Sequence, residues 1–198
     1  MDLKDSKTKE NLLRAFAGES QARNRYDIAA EVAKNEKLFI ISDMLKYTAN
    51  QEKAHAQVYY HYLKPFNGEN IMIDGGYPVD NYPDTLSLLK CAQHNENEEW
   101  TQVYKDFGNV AREEGFDQIG TVFDNIASIE KTHDDRFTKY INYMENGTLF
   151  KQPTEVKWMC THCGYIYEGT EPPKVCPVCL HPQGYYMLYE DTQFKTVK

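Results

Sequence analysis

Apolar residues recur at intervals of three and four along four stretches of the chain. The pattern predicts four amphipathic helices, at about residues 8–33, 38–63, 84–114 and 117–145. Asp84 follows a proline and is a typical N-cap, while Gly115 and Gly147 are typical stops after the third and fourth stretches. The first three quarters of the chain is therefore predicted to be mainly α.

The stretch between Pro65 and Pro83 interrupts this pattern with glycine, asparagine, aspartate and proline. Such a composition marks a long connection, whereas the other two helix connections are short. Two short connections on either side of one long crossover describe two antiparallel helix pairs, the ferritin-like arrangement. We therefore expect a ferritin-like four-helix bundle over residues 1–147.

The helical pattern ends after Gly147. Residues 148–156 read as a short linker, and residues 157–198 contain turn residues, aromatics and cysteines without a helical period. About 40 residues rarely form a stable core alone, so we expect the stability of this small domain to depend on a bound metal.

The apolar faces of the predicted helices carry groups that are costly to bury. Three of them recur in a second, matching set with almost the same spacing: Glu19, Glu52 and His55, then Glu96, Glu130 and His133. A buried carboxylate needs a partner, and residues three apart project from one face of a helix. One Glu on each of two helices and a Glu-x-x-His on each of the others is how a bundle holds two metal ions. The mixture of carboxylate and imidazole favours iron or manganese over zinc.

Glu99 breaks the repeat. It lies three residues after Glu96, so the third helix offers Glu-x-x-Glu where the second and fourth offer Glu-x-x-His. The side chain can reach the same centre, or it can be a polar residue at the edge of the apolar stripe. Spacing leaves both interpretations open.

The third helix is expected to continue without interruption beyond Glu99. Its buried face would run along Val103, Phe107 and Val110. Three acids near it are expected to face solvent: Glu98, Glu113 and Glu114.

Four of the five cysteines form two CxxC pairs: Cys160 with Cys163, and Cys176 with Cys179. This spacing indicates a tetrahedral tetrathiolate site, for which iron and zinc compete. The neighbouring pair of redox metals favours iron, since one iron with four thiolates can donate electrons singly. The fifth, Cys91, is expected to be a small buried residue rather than a redox group.

Charge and hydropathy argue against some classes of binding partner. The 198 residues carry a formal net charge of −8, which argues against nucleic acid or an anionic membrane surface as a partner. No apolar run approaches the roughly 20 residues that a membrane helix requires. We expect a cytoplasmic protein.

Several motifs together resemble the rubrerythrin family. They are AGESQARNRY, QEKAH, ENEEW, AREEGF and IEKTH in the helices, and WMCTHCGYIYEG with CPVC in the tail, which resembles the family's rubredoxin-like module. The resemblance covers essentially the whole chain in the family's order.

One departure is Leu180, which follows Cys179 where the family pattern has glycine. Leucine there is expected to strain or reshape this turn and to shift the potential of the iron.

The resemblance implies roles for the bundle residues. Glu52 and Glu130 would bridge two irons, Glu19 would be terminal on one, and Glu96 with His133 would be terminal on the other. The first iron would exchange Glu99 in the diferric state for His55 in the diferrous state. Ferric iron favours an anionic oxygen, which supports that direction.

Two tyrosines, Tyr26 and Tyr104, resemble residues that hydrogen-bond the ligand carboxylates in this family. As plain core aromatics they would look the same in the sequence.

The resemblance also implies an activity. It is a non-haem diiron peroxidase that reduces hydrogen peroxide to water in oxidative stress defence. An external NADH- or NADPH-linked reductase would supply electrons through the tetrathiolate iron. The family further implies a homodimer in which the cysteine module of one chain serves the bundle of the other. Two alternatives remain open: an iron-handling ferroxidase, and a non-catalytic protein with a structural zinc in the cysteines.

Overall fold

The computed structural model describes residues 1–192, so the last six residues of the predicted 157–198 domain lie outside the described part. The helices are α1 (Lys7–Asn35), α2 (Phe39–Tyr62), α3 (Thr85–Glu98), α4 (Tyr104–Glu113) and α5 (Asp117–Glu145). A π-helical segment, Glu99–Val103, joins α3 to α4, so that the two form the third helix of the bundle. Helix α1 packs on α2, and α3 and α4 pack on α5. The predicted four-helix bundle with a long crossover is confirmed.

The π-helical segment corrects the expectation of an uninterrupted third helix. The residues expected on its buried face, Val103, Phe107 and Val110, are only half-buried. The buried residues are instead Tyr104, Gly108 and Ala111. A π turn contains one residue more than an α turn, so the inward face moves by one position after Glu99. The shift turns Tyr104 toward the middle of the bundle.

Carboxylate side chains accept backbone N–H groups at the starts of α3 and α1. Asp84 caps α3 as predicted, since its Oδ1 accepts the backbone N–H of Ser87 at 2.8 Å. The expectation that Glu114 faces solvent is wrong. Its carboxylate accepts the backbone N–H groups of Lys7 and Thr8 at 2.9 and 2.8 Å, at the positive end of the α1 dipole. This bond ties the end of α4 to the start of α1.

Two apolar clusters fill the two ends of the bundle. One includes Ile41, Leu45, Leu89 and Phe137, and the other includes Leu12, Tyr59, Phe123 and Ile126. The buried Glu and His residues belong to neither cluster. Apolar packing therefore holds the helices together while the titratable groups share the same interior.

The cysteine domain is a small antiparallel sheet of β1 (Val156–Cys160), β2 (Ile166–Gly169) and β3 (Tyr186–Leu188), in the order β2-β1-β3. Its core is formed by Trp158 and Tyr186, both fully buried, together with two of the cysteines. The indole N–H of Trp158 donates to the Gly169 carbonyl at 2.9 Å, which closes β1 on β2.

This domain packs on the end of the bundle where α1 turns into α2. The ring of Tyr185 stacks on Phe39 with centroids 4.2 Å apart. Gly184 lies so close to the turn that a Cβ there would stand 1.8 Å from the Lys37 carbonyl oxygen, so only glycine fits. Asp191 accepts the Tyr143 hydroxyl at 3.0 Å and adds a contact to α5.

Over the 192 residues that the structure describes, no helix combines the length and the apolar character needed to cross a bilayer.

Candidate metal centres

Six buried side chains from four helices converge in the middle of the bundle. One group consists of Glu19, Glu52, His55 and Glu130, and the other of Glu52, Glu96, Glu130 and His133. Within each group, one ligand atom per residue lies within 4.8 Å of every other. Glu52 and Glu130 belong to both groups, so they stand between two neighbouring positions. The six residues have the arrangement of a dinuclear site.

Many polar atoms of this cluster make no hydrogen bond within residues 1–192, although they are buried. They are both carboxylate oxygens of Glu52 and Glu130, Oε2 of Glu19 and Glu96, and Nδ1 of His55 and His133. His133 Nδ1 lies only 2.7 Å from a Glu130 oxygen, yet the contact lacks hydrogen-bond geometry. These atoms lie close to one another without forming hydrogen bonds, so they converge on common points between the side chains. Two cations at those points would satisfy atoms whose burial is otherwise costly, so the residues fit a diiron centre.

His133 is held on both sides. Its Nε2 lies 3.2 Å from Oε1 of Gln51, and the same oxygen accepts the Arg136 guanidinium at 2.9 Å. Because arginine only donates, the Gln51 atom is an acceptor and Nε2 of His133 carries the proton. Nδ1 faces the cluster, and once metal displaces its proton it offers the lone pair that a metal ligand requires.

His55 is held on one side only. Its Nδ1 lies 2.8 Å from Glu130 Oε1 and 3.5 Å from Glu19 Oε2. Among the described residues, none forms a hydrogen bond with its Nε2. The two imidazoles stack with centroids 5.7 Å apart, but only His133 is fixed by a partner behind it.

The two tyrosines contact the cluster. The Tyr26 hydroxyl donates to Oε1 of Glu96, and the Tyr104 hydroxyl donates to Oε1 of Glu19. Each bond occupies one carboxylate oxygen and leaves the other facing the metal positions. Both rings are fully buried, so each hydroxyl is shielded from competing water.

Glu99 lies beside the cluster rather than inside it. It is the first residue of the π-helical segment, is half-buried and belongs to neither converging group. Burial and the neighbouring charge of Glu96 raise the pKa of its carboxyl well above the ordinary value. It also lines a cavity of about 220 Å³, whose wall includes Tyr104, the hydrogen-bond donor to Glu19.

Burial shapes the protonation of the cluster. Burial and the charge of Glu130 raise the pKa of Glu19, and burial with the charge of Glu52 raises that of Glu96 to about 8. Despite burial, contacts with Glu130 and Glu52 raise the pKa of His133 to about 12. The raised pKa values of Glu19, Glu96 and His133 favour protons on these three groups when no metal is bound, and metal binding must displace them.

Three residues that support the site were not predicted from the sequence: Gln51, Arg136 and Asp134. The first two orient His133. Asp134 on α5 accepts the Trp100 indole N–H at 2.8 Å and the Gln93 and Asn97 amides at 2.7 and 2.9 Å, which fixes the α3 end of the π-helical segment. Their only sequence signal is proximity to a Glu-x-x-His pair. The expectation that Cys91 is buried is only partly met: the residue is half-buried, and burial raises the pKa of its thiol.

The four paired cysteines come together in the small domain. Cys160 and Cys179 have sulfurs 3.7 Å apart, as do Cys163 and Cys176. A tetrahedral site with metal–sulfur bonds of about 2.3 Å has sulfur separations of roughly 3.8 Å, whereas a disulfide is near 2.05 Å. The distances fit one tetrahedrally bound metal ion.

The two CxxC turns have the same shape. Gly164 N–H donates to the Cys160 carbonyl at 2.8 Å, and Leu180 N–H donates to the Cys176 carbonyl at 3.0 Å. Gly164 has φ of 78° and Leu180 has φ of 61°, so both occupy the left-handed region. Leu180 therefore bears the expected strain, but it does not reshape the turn.

Comparison with known proteins decides the family. A model of the rubrerythrin family matches residues 10–141, and a model described as the rubrerythrin rubredoxin-like domain matches residues 158–187. The chain belongs to the rubrerythrin family. It is 43% identical to the rubrerythrin of Clostridium perfringens over 96% of this chain and 98% of that protein. It is 39% identical to the rubrerythrin of Nitratidesulfovibrio vulgaris, over 94% and 96% of the two chains.

Solved structures support the same fold. Fully reduced, all-ferrous nigerythrin superposes with a TM-score of 0.62 at 26% identity, over 93% of this chain and 90% of that one. A Desulfovibrio desulfuricans bacterioferritin gives a TM-score of 0.63 at 20% identity, over 72% of this chain and 82% of that one. The rubrerythrin resemblance, the ferritin-like and rubredoxin-like fold, and a diiron plus tetrathiolate iron composition are confirmed. The protein is an iron-dependent oxidoreductase of this family.

Proposed function

We propose that this rubrerythrin reduces hydrogen peroxide to water in defence against oxidative stress, with electrons supplied through its tetrathiolate iron. The observation that carries the proposal is the presence, in one chain, of a buried site for two irons and a site for one iron in four thiolates. A pair of irons can give two electrons to an oxidant, and a single iron in four thiolates can deliver electrons one at a time. When bound, the iron pair supplies the two electrons that convert peroxide and two protons into two water molecules.

The proposed ligand roles follow the two converging groups. Glu52 and Glu130 are shared by both groups, which supports a bridging role for each. Glu19 belongs to one group only, and Glu96 and His133 belong only to the other, which supports terminal roles. Tyr26 and Tyr104 hold the outer oxygens of Glu96 and Glu19, so they orient these carboxylates without binding metal themselves.

The proposed redox-linked exchange concerns His55 and Glu99. His55 has no partner behind it among the described residues, so leaving the cluster breaks no other hydrogen bond. Glu99 lies beside the same cluster with a half-buried carboxyl. The arrangement of the structure, with His55 turned inward and Glu99 outside both groups, corresponds in this proposal to the diferrous state. A ferric ion would favour the anionic Glu99.

Electron supply is proposed to come from another protein. The chain has no nucleotide-binding motif, so an NADH- or NADPH-linked reductase would deliver electrons to the cysteine site. A reducing compartment such as the cytoplasm suits its four thiolates.

A homodimer is part of the proposal. The cysteine domain contacts Phe39 at the start of α2, and Glu52 lies thirteen residues further along the helix. At about 1.5 Å per residue this is roughly 20 Å along the axis. Because electron transfer slows steeply with distance, this separation supports delivery from the cysteine domain of one chain to the bundle of a second.

The direct test mixes fully reduced, iron-loaded protein anaerobically with hydrogen peroxide or with dioxygen and follows diiron oxidation by stopped-flow absorbance. We expect peroxide to react at least about tenfold faster than dioxygen. Faster reaction with dioxygen would favour a ferroxidase. A colourless cysteine site in protein of verified metal content would show zinc and remove the electron-donor role.

A further inference from the structure

The cavity beside Glu99 lies between the crossover and two residues next to the diiron cluster, Glu99 and Tyr104. Its volume is about 220 Å³, and its walls come from α1, the crossover and the region around the π-helical segment. Glu99 and Tyr104 belong to its wall, and Tyr104 donates a hydrogen bond to Glu19. A small molecule in this cavity is therefore next to two residues that adjoin the metal positions.

The outer wall of the cavity is a short segment of the crossover, Gly75–Gly76–Tyr77–Pro78. The Tyr77 ring lies against α1, because a Cβ on Gly18 would stand 3.8 Å from its Cε1 atom. The Tyr77 hydroxyl donates to the Arg14 carbonyl at 3.1 Å. Gly18 directly precedes Glu19, so the ring covers the cavity at the level of the metal cluster.

Two arginines of α1 fix this segment from both sides. Arg14 donates to the carbonyl and the carboxylate of Asp74 at 3.0 and 2.7 Å. Arg25 pairs with Asp80 at 2.7 Å. The side chains of this second pair are only 14% and 15% exposed, so solvent screens it less than a surface pair. Tyr77 is thus held between two anchored points.

We propose that this cavity is the access route for the oxidant and that Tyr77 determines its maximum size. This inference rests on the proposed peroxide reduction. A water-sized molecule needs about 10–15 Å³ of such space, so hydrogen peroxide fits with room for several neighbours. The lining offers polar groups for its oxygens, including Gln21 and Asn95. A tert-butyl or cumyl group is bulkier, and we expect the Tyr77 ring to hinder its entry.

The test measures size selectivity in single-turnover oxidation of reduced, iron-loaded protein. Hydrogen peroxide, tert-butyl hydroperoxide and cumene hydroperoxide are compared by stopped-flow absorbance in wild type, Tyr77→Ala, Tyr77→Phe and Tyr82→Ala. Tyr82 is an exposed crossover tyrosine outside the cavity lining and serves as the matched control. Tyr77→Ala is expected to raise the rate ratio of tert-butyl hydroperoxide to hydrogen peroxide by about tenfold or more. Tyr77→Phe and Tyr82→Ala keep the wild-type ratio.

A second variant narrows the route from the opposite wall. Val103 is half-buried and lines the cavity, so Val103→Phe is expected to slow all three oxidants while iron content stays unchanged. An unchanged ratio in Tyr77→Ala, or an unchanged rate in Val103→Phe, overturns the access route alone. Wild-type protein that reacts with none of the hydroperoxides overturns the proposed function and this inference together.

Discussion

Nε2 of His133 lies 3.2 Å from the amide oxygen of Gln51, and this contact assigns the imidazole proton to Nε2. The equivalent nitrogen of His55 has no partner among the described residues. Two Glu-x-x-His pairs that look alike in the sequence are therefore unlike in the bundle. Gln51 fixes the ring of His133 from behind, whereas no described residue does the same for His55.

Removing the Gln51 contact tests its effect on metal binding. Gln51→Ala leaves the His133 ring without its partner and removes one of the acceptors of Arg136. We expect a loss of about 10–100-fold in affinity at one of the two metal positions, because partners behind a ligand histidine fix its tautomer and direction. Equilibrium dialysis with Fe(II) under anaerobic conditions measures this. Gln57→Ala, on the exposed face of α2, is the control, and equal affinities in the two variants would contradict the assignment.

Replacing His55 tests the ligand exchange. His55→Ala removes the imidazole proposed for the diferrous state, so peroxide oxidation is expected to slow by about tenfold or more while the diferric centre still assembles. Stopped-flow absorbance measures the rate, and the diferric spectrum reports assembly. His61→Ala, an exposed histidine on the same helix, provides the comparison. Peroxide kinetics that match wild type in His55→Ala would rule out the exchange.

Metal removal makes the stability of the cluster more strongly dependent on pH. In the metal-free protein the carboxyl pKa values of Glu19, Glu96 and Glu99 are raised above their unfolded values, that of Glu96 to about 8. The folded state then holds protons that the unfolded chain has released above about pH 4.5. Its contribution to stability falls as pH rises toward 8. The raised pKa of His133 acts in the same direction above about pH 6.5.

We therefore expect the melting temperature of metal-free protein, measured by calorimetry, to be roughly several degrees lower at pH 8 than at pH 6. Iron-loaded protein, in which cations replace the protons, should show a smaller change. Glu96→Gln removes one of the raised carboxyls and should flatten the slope of the metal-free form. A melting temperature that rises from pH 6 to pH 8 in metal-free wild type would show that the cluster does not hold these protons.

Leu180 offers a test in the cysteine domain. A leucine at φ of 61° is strained, so Leu180→Gly is expected to stabilise the iron-loaded domain by roughly 0.5–1 kcal/mol after the entropy of the unfolded glycine is subtracted. The rate of iron loss to a chelator should fall accordingly. Val178→Ala, at a nearby exposed position, should leave that rate unchanged. Faster iron loss from Leu180→Gly would indicate that the leucine side chain itself protects the site.

The sequence predicted the parts of the site that depend on periodicity. Glu52 with His55, and Glu130 with His133, lie on the inward faces of their helices because three residues nearly complete a turn. The π-helical segment was not predicted, because no residue type marks an extra residue in a turn. This extra residue puts Tyr104 on the buried face in place of Val103. Gln51 and Asp134 also escaped, because their roles depend on contacts between helices far apart in the chain.

The tetrathiolate iron is proposed to supply electrons to a peroxide-reducing iron pair. Anaerobic titration of fully reduced, iron-loaded protein with hydrogen peroxide tests it most directly, with absorbance reporting both sites. Three one-electron irons per chain predict complete oxidation at roughly one and a half equivalents of peroxide, with the red ferric tetrathiolate colour appearing. Oxidation that stops near one equivalent, with the cysteine site still reduced, would show that this site does not supply the iron pair.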